Sequence, residues 1–448
     1  MAQVSSSQAP HTTGLSFVQR LIPVRTRLLI AALVTGVCAG ACARSLKWMI
    51  GGVTDWIMNV AHGWLSVVTP FLALTVTALI CRYVFRERLE HEVEQIKHKL
   101  ATGNLNFGLS RIFYPMAAST LTLGLGGSGG AEGPMAYTGA AIASNVARAG
   151  GIPEVNMPMM IACGAGAGIA AIFKSPLGGA MFTFEVMHLG FSAYATVLIF
   201  ASSITAGLVA YMLDSCKPDI VLTSIGVFNL SMVPALLVMG MVAGLYSIYY
   251  NRVIRYTRRL LGAIRRRWAQ VIVAGVLLSA IIALIPAVYG EGYGVASALG
   301  SDENGSLVRF ALSDDMGGAP LVALVALLVL LLKSIATSLT NNGGGVSGDF
   351  APTIFSGAVV GYLFAFVVNT WLGGHLPVGQ AVLYSMGAVM AGAIGAPIRA
   401  IVIVTEMTGQ LDNFLPMTIT AAASYLTVRM ILGGQAWATD EKSNWHKK

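Results

Sequence analysis

Gly126-Gly127-Ser128-Gly129-Gly130-Ala131-Glu132-Gly133-Pro134 sets one acid inside a glycine run, between stretches of almost uncharged sequence. A carboxylate at membrane depth costs roughly 2.5–3.5 kcal/mol on insertion scales, so such a residue marks a functional site by default. The glycines interrupt a helix and free backbone N–H groups, and Pro134 suits the first turn of a new one, where its missing N–H is not needed. Glu132 is therefore expected at a helix start. There the macrodipole adds about half a positive charge to amides that already attract anions. An acid in that position competes with any anion the amides bind.

The rest of the chain reads as membrane protein. Of its 448 residues 55% are hydrophobic and 11% charged, with mean hydropathy +0.71, against about 25% charged in soluble domains. Apolar stretches recur from residue 28 to 432. Several, such as 134–148 and 397–408, fall short of the roughly 20 residues that cross the hydrocarbon. Short apolar segments beside Gly/Pro breaks indicate half-helices meeting at a buried site.

The net charge of +8 does not point to nucleic acid. Its arginines gather at Arg20, Arg25 and Arg27 and again from Arg252 to Arg267, next to apolar spans. The positive-inside rule then puts the N-terminus and the 252–268 loop in the cytoplasm, with the C-terminus expected there too. Cys38, Cys42, Cys81, Cys163 and Cys216 form no CxxC pair and read as small buried hydrophobes. No signal peptide, cofactor motif or metal-ligand spacing is apparent.

A second half echoes the first. Pro176 to Glu185 and Pro397 to Glu406 each place a glutamate nine residues after a proline, at an offset of 221. At a near-equal offset of 218, Gly130-Ala131-Glu132-Gly133-Pro134 falls on Gly348-Asp349-Phe350-Ala351-Pro352. The latter also follows a glycine run, Gly343 to Gly345. The expected fold is an all-α integral membrane bundle of two related repeats, inverted as is common for such pairs, with broken half-helices meeting at the midplane. The expected divisions are a tail at 1–27, repeat one at 28–218, the start of repeat two at 219–251, a basic loop at 252–268, the remainder at 269–435 and a tail at 436–448. Amides around Gly130, Ala131 and Gly133, and around Gly348, Asp349, Phe350 and Ala351, are the candidate anion site, with Glu132 as its gate.

Gly130-Ala131-Glu132-Gly133-Pro134 resembles the G-[K/R]-E-G-P motif of the CLC chloride channel and transporter family, and Gly348-Asp349-Phe350-Ala351-Pro352 resembles its G-x-F-x-P motif. The resemblance covers about residues 28–435. It implies a homodimer in a cell (inner) membrane, without appended regulatory domains and with an anion pathway in each subunit. Glu132 is then the gating glutamate, and the amides of Asp349 and Phe350 join the anion site. Chloride or another small anion, with protons and lipid, would be its partners.

Four departures from the family pattern stand out, and the last bears on mode. Ala131 stands where the family has Lys or Arg. The region Arg88 to Gln95 lacks the family's Gly-Ser-Gly turn, and no tyrosine follows Tyr425. Trp437 reads as an interfacial anchor. Proton-coupled members carry a second glutamate after the residue matching Glu185, where this chain has Val186. Passive, channel-like conduction is therefore favoured, with a proton-coupled chloride or fluoride antiporter using another proton route as the alternative. Membrane voltage would bias a charged gate by about 2.3 kcal/mol per charge per 100 mV. A serine hydrolase on Ser128 lacks a positioned base, His188 having no supporting spacing. A cation symporter would want cation-coordinating carboxylates at the breaks, and the second break offers mainly glycine and Phe350.

Among other polar residues, Asp349 is expected to cap its helix, and Asn341 and Asn342 to cap helix ends or line the path. Lys333 is expected either to meet carbonyls or to raise the local potential. Glu185, the repeat-mate of Glu406, reads as structural.

Overall fold

A computed structural model describes residues 22–60, 64–86, 92–187, 192–214, 217–223, 225–301 and 319–433. Residues 1–21 and 434–448, with Cys216, His188 and Trp437, lie outside them. The described residues are helical, without a strand, and contain two isolated backbone bridges.

The first repeat comprises α1 (Val24–Val60), α2 (Trp64–Ile80), α3 (Glu92–Thr102), α4 (Ser110–Gly124), α5 (Glu132–Ala149), α6 (Met157–Ile172), α7 (Pro176–Met187) and α8 (Ala193–Leu213). The second comprises α9 (Val233–Gly262), α10 (Arg267–Leu284), α11 (Tyr293–Gly300), α12 (Ala319–Asn342), α13 (Phe350–Trp371), α14 (Val378–Ile394), α15 (Pro397–Thr408) and α16 (Phe414–Leu432). Among the described residues, nine helical stretches are long and apolar enough to cross a membrane, and the chain is a multi-pass membrane protein.

Boundaries differ locally from the expectation. The sequence reads as one apolar stretch over 177–213, on which the structure has α7 as far as Met187 and α8 from Ala193, with Ser192 as the cap of α8. Arg252 to Arg259 continue α9 as helix, because arginine is a good helix former, which leaves only a short link before α10. The first helix begins at Val24, inside the expected tail.

The 218-residue offset is visible in the hydrogen bonds themselves. The Gly127 N–H donates to the Thr122 carbonyl (2.7 Å), and its counterpart Gly345 to that of Thr340 (3.0 Å). The Ser128 N–H donates to Thr340 Oγ1, and the Val346 N–H to Thr122 Oγ1, both at 3.0 Å. Gly126 and Gly344 take the same left-handed turn, with φ of 113° and 99°, which only glycine adopts without strain. At the centre Gly130 and Gly348 exchange both N–H···O bonds, at 3.0 and 2.7 Å, in an antiparallel bridge. Each glycine break is thus closed by its own repeat-mate, and the pseudo-twofold axis passes between Gly130 and Gly348.

A second reciprocal contact ties the repeats together. Glu406 near the end of α15 caps the start of α7, accepting from Ser175 Oγ (2.5 Å), the Gly178 N–H (3.0 Å) and the Leu177 N–H (3.2 Å). Glu185 in α7 faces the backbone N–H and the guanidinium of Arg399 at the start of α15. Both glutamates answer the orphan donors of a helix N-terminus, which is the structural part expected of Glu185.

Candidate functional site

Glu132 is the first residue of α5 and is buried, 2% exposed. Its Oε1 accepts from the N–H groups of Phe350 (2.5 Å) and Ala351 (3.3 Å) at the start of α13. Phe350 is the repeat-mate of Glu132, so the symmetry ends where the chemistry begins: an acid on one side meets bare amides on the other. Hydrogen bonds to a charged group are worth about 1.5–3 kcal/mol each. Together they offset the cost of placing this carboxylate at depth. Oε2 makes no hydrogen bond, so the carboxylate is held by one oxygen.

The start of α5 is occupied as well. The Ala131 N–H donates to Glu291 Oε1 at 3.2 Å. Glu291 lies in the link after α10, at the far end of that helix from the arginine cluster. Lys333 supports this link from α12. Its buried Nζ donates to the carbonyls of Gly290 (2.8 Å) and Val288 (3.1 Å) and lies 4.8 Å from the Phe355 ring centroid. Of the two expectations for Lys333, the carbonyl pairing is observed. Both helix starts therefore hold a protein carboxylate: Glu132 on α13 and Glu291 on α5.

Cavities approach this closure from two sides. One, of about 540 Å³, is lined by Glu132 itself with Glu92, Glu185, Asp349, Phe350 and Arg399. It lies on the side of the arginine cluster, since Asp349 is within electrostatic reach of Arg258. The other, of about 620 Å³, is lined by Glu291, Tyr289, Tyr293 and the end of α1. Glu132, the Gly130–Gly348 bridge and the Ala131–Glu291 contact stand between them.

The candidate residues gather as expected, with differences in which amides are open. The Gly130 and Gly348 amides donate to each other, and the Ala131 amide to Glu291. The Phe350 and Ala351 amides face the acid. Gly133 lines the first cavity, with the Glu92 carboxylate against it. The Asp349 side chain makes no helix cap. Instead Oδ1 accepts from Asn341 Nδ2 at 2.7 Å, because Asn341 lies in the last turn of α12, which enters the break. Asn341 also accepts from Ser347 Oγ and lines the cavity, whereas Asn342 turns back to Ser338.

Three residues escaped the sequence reading. Glu92 sits in the acidic run Glu90 to Glu94, which looks like a solvated face, yet it is 3% exposed and points to the cavity. Glu291 carries a usable signal, the glycine-flanked acid in Gly290-Glu291-Gly292, much like Glu132. Arg399 is the lone cation of an apolar half-helix.

The fit around Glu132 is tight. A Cβ on Gly348 would overlap the carboxylate, and one on Gly130 would strike both it and Ala351. Gly348→Ala is therefore expected to expel Glu132 from the α13 amides. Halide efflux from proteoliposomes should then rise severalfold at neutral pH in protein that stays monodisperse. Efflux at or below the parent rate in such protein would show that the acid does not block the path.

A family sequence model described as voltage gated chloride channel matches residues 73–429. The chain is 26% identical over 418 residues to a putative chloride channel protein ClcB-like from Ralstonia nicotianae, spanning 89% of this chain and 93% of that one. It is 27% identical over 440 residues to the H(+)/Cl(-) exchange transporter ClcA of Cronobacter sakazakii, spanning 92% and 88%. Among solved structures, a slow cyanobacterial Cl-/H+ antiporter superposes with a TM-score of 0.74 at 21% identity, over 92% of this chain and 96% of that one. A CLC-type fluoride/proton antiporter does so with 0.73 at 20%, over 93% and 96%. At these identities the structural likeness establishes the fold.

Proposed function

The chain belongs to the voltage-gated chloride channel (CLC) family, and on that premise we propose that it transports chloride-type anions across a membrane through a pathway gated by Glu132. The observation that carries this reading is the seat of Glu132 Oε1 on the Phe350 and Ala351 amides. A carboxylate there stands where a permeant anion would sit. Amides and a helix dipole partly replace the hydration shell without a fixed full charge, so the ion can also leave. Protonation or displacement of Glu132 opens the seat, which links transport to pH, anion concentration and voltage.

In this reading each subunit of a homodimer has its own pathway. The arginine-flanked face, with both termini, lies in the cytoplasm of a cell (inner) membrane. The Glu92 and Arg399 cavity is then the inner vestibule and the Glu291 cavity the outer one. Val186 in place of a second acid favours passive conduction.

One observation favours a second mode, proton-coupled exchange of chloride or fluoride. Glu92 is buried in the same cavity as Glu132, and its Oε1 has no hydrogen-bond partner. It offers a proton-accepting group within the cavity that reaches the gate. The modes separate in one assay: chloride efflux from proteoliposomes, followed with and without a proton gradient. Passive conduction predicts efflux that drives no proton uptake. Uptake at a fixed ratio to chloride, lost in Glu92→Gln, supports exchange. If no halide moves, the transport reading fails.

A further inference from the structure

We propose that Glu291 controls the entry of anions from the outer cavity, its carboxylate holding the start of α5 against them and so lowering the apparent affinity for chloride. The proposal rests on the transport reading and adds a second acid to the same pathway. Glu291 Oε1 accepts from the Ala131 N–H at 3.2 Å, and Glu291 also lines the cavity of about 620 Å³. Ala131 is fully buried and directly precedes Glu132. Glu291 therefore stands between that cavity and the start of α5.

The acid is fixed there by two buried cations. Lys333 Nζ donates to the carbonyls of Gly290 and Val288, which clamps the link immediately before Glu291. Lys47 of α1 lies 5.4 Å from the ring centroid of Tyr293, two residues after it. Both ammonium groups are within electrostatic reach of the carboxylate. Lys47 is itself paired with Asp219, whose Oδ1 accepts from Lys174 Nζ at 2.7 Å. Lys174 is buried with φ of 51°, in the left-handed region that its repeat-mate Gly395 enters without strain. A chain of alternating charges thus runs from Lys174 to Glu291 and keeps the acid in place.

One amide cannot hold a carboxylate and a halide together. An anion entering from this cavity therefore displaces Glu291 from Ala131 or passes beside it against like charge. Little offsets that repulsion at the helix start. Position 131 is an alanine, without the cation of the family motif, while Lys47 and Lys333 are engaged by Asp219 and by the two carbonyls. Glu132 blocks a seat on α13, whereas Glu291 acts on approach to α5. The two carboxylates sit on different helix starts, so neutralising one leaves the contacts of the other in place.

Exchange of radiolabelled chloride by the full-length protein in proteoliposomes, measured over a range of chloride concentrations, tests this. Glu291→Gln removes the charge at nearly the same bulk and should lower half-saturating chloride by about fivefold, a larger change than in the maximum rate. The same shift is expected on a Glu132→Gln background. Glu291→Asp keeps the charge but shortens its reach to the Ala131 amide, and should lower half-saturation by about twofold. If the glutamine variant does not fold, the aspartate variant decides. A carboxylate present only to cap α5 would lower thermal stability and leave half-saturation unchanged, and that result overturns the proposal. So does a shift that vanishes on the Glu132→Gln background, since Glu291 would then act only through Glu132. A parent that exchanges no halide defeats the transport reading instead, so the two failures are distinguishable.

Discussion

Glu132→Gln is expected to raise chloride efflux at neutral pH by about tenfold to a hundredfold and to flatten its dependence on external pH. Glutamine has nearly the shape of the acid but no charge. The contacts to the Phe350 and Ala351 amides then drop from charge-assisted to neutral hydrogen bonds, a loss of about 1–1.5 kcal/mol at each and about 2–3 kcal/mol together in holding the plug. At about 1.4 kcal/mol per factor of ten, that range gives the expected increase. The sign follows from charge. Protonation neutralises the parent's carboxylate, so its efflux rises as pH falls. The variant is already neutral and has nothing to titrate. Efflux measured across a pH series in identical vesicles checks both parts.

Glu406→Ala is expected to be the most damaging change to stability. The carboxylate satisfies three donors at the start of α7, from Ser175, Leu177 and Gly178, across the contact between the repeats. Orphaned donors cost about 1–3 kcal/mol each when burial keeps water away. Since Glu406 is only partly buried, a total of about 2–4 kcal/mol is expected, with relaxation absorbing the remainder. The midpoint of thermal unfolding in detergent should fall by several degrees. Glu185→Ala, whose carboxylate Oε2 already lacks a partner, should lower it by less than half as much. Equal shifts would mean that the two repeat-mates carry the same structural load.

The pattern of legibility follows from what short stretches of sequence can encode. The glycine breaks, the prolines after them and the repeat offset are local. They forecast helix starts at Glu132 and Phe350, and the reciprocal bonds of Thr122 and Thr340 bear out the pairing of the repeats. The glutamate nine residues after each repeat's proline was readable as a structural pair for the same reason. Which amides remain open was not readable. The Gly130 and Gly348 amides close on each other, a pairing between residues 218 apart, and composition is silent on it. Glu92 was hidden because an acidic helix face looks the same whether it meets water or a cavity. Arg399 was hidden because one arginine in an apolar helix is as often snorkelling as functional. Glu291 was within reach, since its glycine-flanked setting repeats that of Glu132.

Anomalous diffraction from bromide-soaked crystals of Glu132→Gln would show whether Glu132 sits in an anion's place, as proposed. A bromide peak is expected within hydrogen-bond distance of the Phe350 and Ala351 N–H groups, with the substituted glutamine side chain displaced from them. A glutamine that stays on those amides at saturating bromide, with no peak beside them, would contradict the proposal.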